Sequence, residues 1–209
     1  MSLDELKELY EVRKADIRQR LLEFEQMQNE DDKKIFSELC FCLLTPQSKA
    51  KACDRAIKNL ESTNVLFTGN ERQVRGFLDS VRFHENKSRY IVKAREMLNT
   101  ISIKEKLKSF SDSFEARHWL IDTVKGLGYK EASHFLRNVG MGEDLAILDR
   151  HILKNLVNFG VIDEVPISLT SKRYLEIEQK MKEFSDKIEI PLAELDLLLW
   201  SKETGEIFK

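Results

Sequence analysis

Apolar residues recur at helical spacing along almost the whole chain. Leu3, Leu6, Tyr10, Ile17, Leu21 and Phe24 mark a first helix whose stripe is interrupted at Arg13 and Lys14, and the polar run QNEDDKK after it reads as a hinge. Ile35–Leu44 is nearly continuous in apolar residues and ends at Thr45-Pro46, where proline disfavours further helix. Ser48 is placed to cap a helix bearing Ala52, Ala56 and Leu60. Asn70 would cap one with Val74, Phe77, Leu78 and Val81 inward, and Asn86 one with Tyr90, Ile91, Ala94 and Leu98 on a face. Ser111 or Asp112 opens a helix with Phe114, Trp119, Leu120 and Val124. Three more run from Asp149 to Phe159, stopped by Gly160, from Thr170 to about Ile188, and from Pro191 to Trp200. The pattern predicts an all-α protein of about ten helices without a sizeable sheet.

Composition narrows this picture. The 209 residues suit one domain or two small lobes sharing a core. A content of 42% hydrophobic and 33% charged residues excludes disorder and collagen. Only 8 Gly and 3 Pro leave too few turns for a sandwich or barrel. With 34 Lys+Arg against 36 Asp+Glu the net charge is −2, which excludes a globally basic nucleic-acid binder but not a polarised one. Cys40, Cys42 and Cys53 neither pair evenly nor form a zinc pattern and read as reduced thiols of a cytosolic protein; neither a signal peptide nor a membrane span is expected.

The candidate chemistry lies where the glycines gather. Gly126, Gly128, Gly140 and Gly142 are half of the glycines within seventeen residues. In Val124-Lys-Gly-Leu-Gly-Tyr-Lys-Glu-Ala, two glycines spaced G-x-G between amphipathic helices permit a tight turn that residues with a Cβ resist. Leu127 can plug the helix pair, and small Ala132 allows close packing. The second helix would then present free N–H groups and a positive dipole end, which suit a phosphate. A plain helical hairpin is the bland alternative; the full G-h-G-x-x-x-A-x-x-h-h pattern favours binding a DNA backbone. His134 and His151 have no partner spacing for a metal site and read as structural or phosphate-facing.

On these residues the chain resembles the helix-hairpin-helix DNA glycosylases, whose signature is such a hairpin, a Gly-rich loop and an essential Asp. Gly126-Leu127-Gly128-Tyr129-Lys130 is similar to the hairpin, and Asp149 follows Lys130 by nineteen residues after the apolar approach Leu145-Ala-Ile-Leu. Lys125 stands where the family usually has proline. The compact archaeal-type 8-oxoguanine DNA glycosylases are the nearer likeness, over nearly the entire chain. The resemblance implies a Schiff-base role for Lys130 and an electrostatic and proton-transfer role for Asp149. Independently, a lysine in a first helical turn beside a dry cleft is held toward the neutral amine, and a capping carboxylate stays ionised. The bland readings are a phosphate-meeting lysine and a simple N-cap.

A glycosylase must flip its nucleotide into a pocket. Thr45-Pro46-Gln47-Ser48 is similar to the family's helix-end segment that reaches the duplex, so Gln47 either fills the vacated stack or turns a helix. Phe83 at a turn, with Trp200 and Phe208 near the chain end, are candidate stacking residues whose alternative is core packing. The resemblance gives Lys209, with its carboxylate, a part in the oxidised-guanine pocket; a terminal lysine is otherwise frayed. Lys125, Gly126, Gly128 and Arg150 are candidate backbone binders, and the basic stretches 49–58 and 82–95 either track phosphates or form solvated faces.

The expectation is an all-α fold of two helical lobes around an active-site cleft: 30–128 as the middle lobe, 129–209 joined by helix 1–29 as the other, and the helix-hairpin-helix at 119–140. It would act as a cytoplasmic, nucleoid-associated monomer on double-stranded DNA containing 8-oxoguanine, without membrane, metal, iron–sulfur cluster or other cofactor, save a monovalent cation at the hairpin. The alternatives are an endonuclease III-like glycosylase for oxidised pyrimidines and a noncatalytic helix-hairpin-helix module.

Overall fold

The computed structural model describes all 209 residues except the side chain of Leu98, so the expected place of Leu98 on its helix face lies outside what is described. The chain forms twelve α-helices, and among the described residues there is no strand. They are α1 (Leu3–Gln26), α2 (Asp32–Leu44), α3 (Ala50–Ser62), α4 (Val65–Thr68), α5 (Glu71–Arg75), α6 (His84–Leu98), α7 (Ile103–Lys108), α8 (Ser113–Thr123), α9 (Tyr129–Asn138), α10 (Arg150–Asn158), α11 (Ser171–Ile188) and α12 (Leu192–Thr204). The excess over the expected ten comes from short pieces such as α4 and α7, too brief to leave a periodic stripe.

Seven of the twelve helices begin where a side chain accepts from a free N–H group of the first turn. Ser2 and Asn70 form reciprocal capping boxes with Glu5 and Gln73, while Asp31, Asp112, Asp149 and Thr170 cap α2, α8, α10 and α11. Helix α1 runs unbroken through Arg13 and Lys14, because Leu6, Tyr10, Ile17 and Phe24 already bury its inner face. The expected hinge is a short 3-10 turn at Met27–Asn29 leading to the Asp31 cap.

Three local expectations are corrected. Ser48 does not cap α3: Lys49 occupies that position without a side-chain bond, and the Ser48 hydroxyl accepts instead from Arg82 N and Lys87 Nζ, both at 3.0 Å. Asn86 lies inside the first turn of α6, which starts earlier from Phe83. The helix after Asn70 stops at Arg75, so Leu78 and Val81 are buried from a turn rather than a helix.

Two apolar clusters divide the molecule. The first gathers α2, α3, α6, α7 and the inner faces of α8 and α9; the second gathers α1, α10, α11 and α12. Residues Ile35–Leu44 are all buried. Apolar side chains of that size contribute roughly 1.5–3 kcal/mol each when fully covered. Because Ala132, Phe135, Leu136 and Val139 pack in the first cluster, the apolar contacts divide between Leu145 and Ala146, later in the chain than the hairpin. No helix of the described residues is long and apolar enough to cross a membrane.

Candidate active site

The hairpin joins α8 to α9. Gly126 has φ +103°, and a Cβ there would lie 2.4 Å from the Tyr90 ring, so both backbone and space require glycine. Leu127 is buried in the first cluster as the plug, and Ala132 is fully covered. Gly128 precedes α9 with no side-chain cap, so the first N–H groups of α9 remain available to an anion. Lys125 and Gly126 are exposed and Gly128 half-exposed at this helix end, and Arg150 is exposed at the start of α10. Gly126→Ala is expected to lower stability by about 1–3 kcal/mol and to weaken DNA binding as the turn shifts, measurable by thermal melting and fluorescence anisotropy.

Lys130 follows one residue into α9. Its Nζ donates to Thr45 Oγ1 at 3.4 Å and lies 3.8 Å from Glu131, loose contacts that leave the amine uncommitted. Asp149 accepts from Ile152 N at 2.8 Å through Oδ1, so capping α10 uses one of its two oxygens. Both charges act on one buried carboxyl, Asp196 of α12. Burial pushes Asp196 up to about 6; Arg137 opposes this most, Asp149 adds to it, and Lys130 also opposes it. Lys130 and Asp149 are therefore both within electrostatic reach of Asp196.

A buried polar network fixes the segment leading to Asp149. Tyr174 OH donates to Ala146 O at 2.6 Å and accepts from Leu148 N at 3.3 Å, while Glu178 accepts from Ala146 N at 2.9 Å. Arg117 of α8 is fully buried and grips Glu178 through two bonds, 2.6 and 2.8 Å, and the Ser133 hydroxyl of α9 at 3.1 Å. Arg117 thus ties the helix carrying Lys130 to the turn carrying Asp149. Arg117→Met strands the Glu178 carboxylate and is expected to destabilise the fold by about 3–5 kcal/mol, read from chemical denaturation.

The chain end joins this region. Rather than fraying, Lys209 places Nζ 2.9 Å from Glu38, 3.2 Å from Asp54 and 4.4 Å from the centre of the Phe41 ring. Burial alone would lower its pKa, but Glu38 and then Asp54 outweigh burial and raise it. Phe208 meets Phe41 edge-on at 6.5 Å between ring centres, and its carbonyl accepts from Arg20 Nε at 3.0 Å. His134, one turn beyond Lys130, is buried against Phe41 with neither ring nitrogen hydrogen-bonded; burial, then Arg137, Lys130 and Lys209, hold it neutral. A cleft of about 820 Å³ lies between α1, α3 and the tail, bordered by Asp54, Phe208 and Lys209.

The remaining sequence candidates lie on turns and at a helix end. Gln47 and Phe83 protrude on exposed turns; Trp200, in the last turns of α12, is half-buried, its carbonyl accepting from Thr204 Oγ1 at 3.0 Å. The polar partners Glu38, Arg117, Asn138, Tyr174, Glu178 and Asp196 are absent from the sequence-derived set, and Lys87, which the sequence placed in a stretch tracking phosphates or forming a solvated face, is buried instead. The available signal was charge inside apolar runs: Glu38 in IFSELCFCLL and Asp196 in LAELDLLLW.

Comparison with known proteins places this arrangement. Residues 17–190 match the family described as 8-oxoguanine DNA glycosylase. An 8-oxoguanine DNA glycosylase/AP lyase of Fusobacterium nucleatum is 47% identical over 210 residues, covering 99% of this chain and 97% of its own. The crystal structure of the 8-oxoguanine DNA glycosylase of Thermotoga maritima superposes with a TM-score of 0.89 at 33% identity, covering 99% of this chain and 98% of that one. The Methanocaldococcus jannaschii 8-oxoguanine glycosylase/lyase, crystallised with a 15mer DNA containing 8-oxoguanine, gives 0.89 at 37% identity, covering 98% and 99%.

Proposed function

Because the chain belongs to the 8-oxoguanine DNA glycosylase family, we propose that it removes 8-oxoguanine from double-stranded DNA and then cleaves the strand at the resulting abasic site. The observation that carries this reading is a loosely held Lys130 in the first turn of a helix with no side-chain cap, with Asp149 at the start of α10 and both charges in electrostatic reach of Asp196.

The hairpin grips a phosphate through the free N–H groups of α9, with Lys125 and Arg150 adding charge; a monovalent cation, were one bound, would be held by the carbonyls of the hairpin around Gly126 and Gly128 and would supply further positive charge. The nucleotide is flipped toward Lys130. The neutral amine attacks C1′, the glycosidic electron pair leaves with the base, and the secondary amine opens the sugar to an iminium. Loss of a C2′ proton then expels the 3′ phosphate, and water releases the lysine. Asp149, with one oxygen left over from its cap, stabilises the cationic sugar and relays the proton shed by the amine. Phe208 and Lys209 border the base site, with Gln47, Phe83 and Trp200 as duplex or stacking contacts. The steps need no redox or organic cofactor. A monomer suffices, and the setting is the cytoplasm, at the nucleoid.

Borohydride trapping on duplexes containing 8-oxoguanine, thymine glycol or an abasic site tests the reading. A covalent adduct with the 8-oxoguanine duplex is the expected result. Adduct with thymine glycol alone would make it an oxidised-pyrimidine enzyme, and none with any duplex would leave only a DNA-binding module.

A further inference from the structure

Lys87 of α6 is a lysine only 4% exposed and buried without a carboxylate partner in its hydrogen bonds. Its Nζ donates to Leu44 O and Pro46 O, each at 2.7 Å, and to Ser48 Oγ at 3.0 Å. One ammonium therefore closes the carbonyl end of α2 and the turn that follows it. Burial draws its pKa down to about 8, with Cys53 and Glu131 opposing and Lys130 and Arg82 reinforcing the fall. A charged group is held here against its own desolvation, at three acceptors that no shorter side chain on α6 would reach.

The same node holds a second turn. Ser48 Oγ also accepts from Arg82 N at 3.0 Å, so the turns at 45–48 and 79–83 are fastened at one hydroxyl and one ammonium. At the tip of each stands a side chain in the left-handed region, Gln47 with φ 54° and Phe83 with φ 58°. Two other non-glycine residues share this conformation: Asn64, a residue type suited to it, and Glu189, at the end of α11 where the left-handed turn is usual. Gln47 and Phe83 have neither excuse, and strain of this kind persists only where surrounding structure imposes it. Phe83 is 52% exposed, and the Arg82 guanidinium lies 5.7 Å from its ring centre. That is a poor arrangement for a core aromatic and a good one for a base. The first turn also carries Thr45, whose Oγ1 meets Lys130 Nζ at 3.4 Å, so the turn bearing Gln47 reaches the proposed reactive amine.

We propose that Lys87 is a positioning residue that locks Gln47 and Phe83 into a paired wedge, and that extrusion of the damaged nucleotide from the duplex depends on this lock. The inference rests on the proposed glycosylase reading and assigns Lys87 to the step before chemistry. Lys87 touches neither the sugar nor the base; it acts through the two tips.

The test separates flipping from chemistry. Single-turnover excision is measured on a duplex with 8-oxoguanine opposite cytosine, and borohydride trapping on a single-stranded abasic oligonucleotide, which needs no flipping. Lys87→Met is expected to slow duplex excision about a hundredfold while single-strand trapping stays within about twofold, the penalty of misplaced contacts confined to the duplex step. Ser48→Ala, which removes one acceptor and the tie to Arg82, should show the same split more weakly; it decides the matter if Lys87→Met does not fold. Combining Ser48→Ala with Phe83→Gly should add little to the loss from Phe83→Gly alone. Equal loss on both substrates, no loss on either, or full additivity of the pair would each overturn the assignment. Absence of trapping by the unmodified protein on every substrate would instead sink the glycosylase reading itself.

Discussion

Lys130→Gln is expected to abolish the borohydride adduct and to lower strand incision by on the order of 10⁴-fold or more, the size of effect seen when a covalent nucleophile is removed. Glutamine keeps much of the side-chain length but has no basic lone pair to attack C1′. The folded state has little stake in this amine, since its contacts to Thr45 and Glu131 are long at 3.4 and 3.8 Å. Stability should therefore change by no more than about 1 kcal/mol. Duplex affinity should persist as well, because the phosphate site is built from backbone N–H groups. An inactive variant that still folds and binds would separate chemistry from grip; a persisting adduct would move the nucleophile elsewhere.

Asp149→Asn makes the complementary cut. Asparagine caps a helix as well as aspartate, so α10 should start as before and thermal melting should change little. What disappears is the negative charge proposed to stabilise the cationic sugar, and excision is expected to slow by about 10²–10⁴-fold. A second signature lies in Asp196. The Asp149 charge is one of the causes holding Asp196 at about 6, so its titration should move down when that charge is removed. Carboxyl chemical shifts followed through acid titration would show it. Activity near that of the unmodified protein would return Asp149 to a purely structural cap.

Sequence periodicity located the long helices because each buries one continuous stripe, and the caps at Asn70, Asp112, Asp149 and Thr170 could be read from residue type alone. Ser48 shows where such reading stops. Its hydroxyl is engaged by Arg82 and Lys87, far along the chain, and no local rule reports a distant competitor. Asn86 failed as a cap because Phe83 enters α6 through a left-handed turn, an entry that its residue type argues against. Lys130 and Asp149 could be singled out as a candidate pair because hairpin and helix start are local motifs at a fixed separation. The supports of this pair could not: Glu38, Arg137 and Asp196 become partners only when α2, α9 and α12 meet. For Lys209 the sequence offered a pocket role only through the resemblance and a frayed end otherwise; its partners Glu38 and Asp54 lie far along the chain.

The ion pairs that cross between the two apolar clusters have a mechanical consequence. Arg117 of α8 is bound to Glu178 of α11, and Arg137 of α9 to Asp196 of α12, all four side chains buried. Prising the lobes apart would strip two salt bridges out of their partners at once, so hinge-like breathing is stiffly resisted and both halves should melt in a single step. A clamp this rigid cannot wrap itself around a straight double helix. Curvature must come from the nucleic acid, at a deformation cost of order ~1–6 kcal/mol, and sites already softened by a mispair should surrender their base soonest.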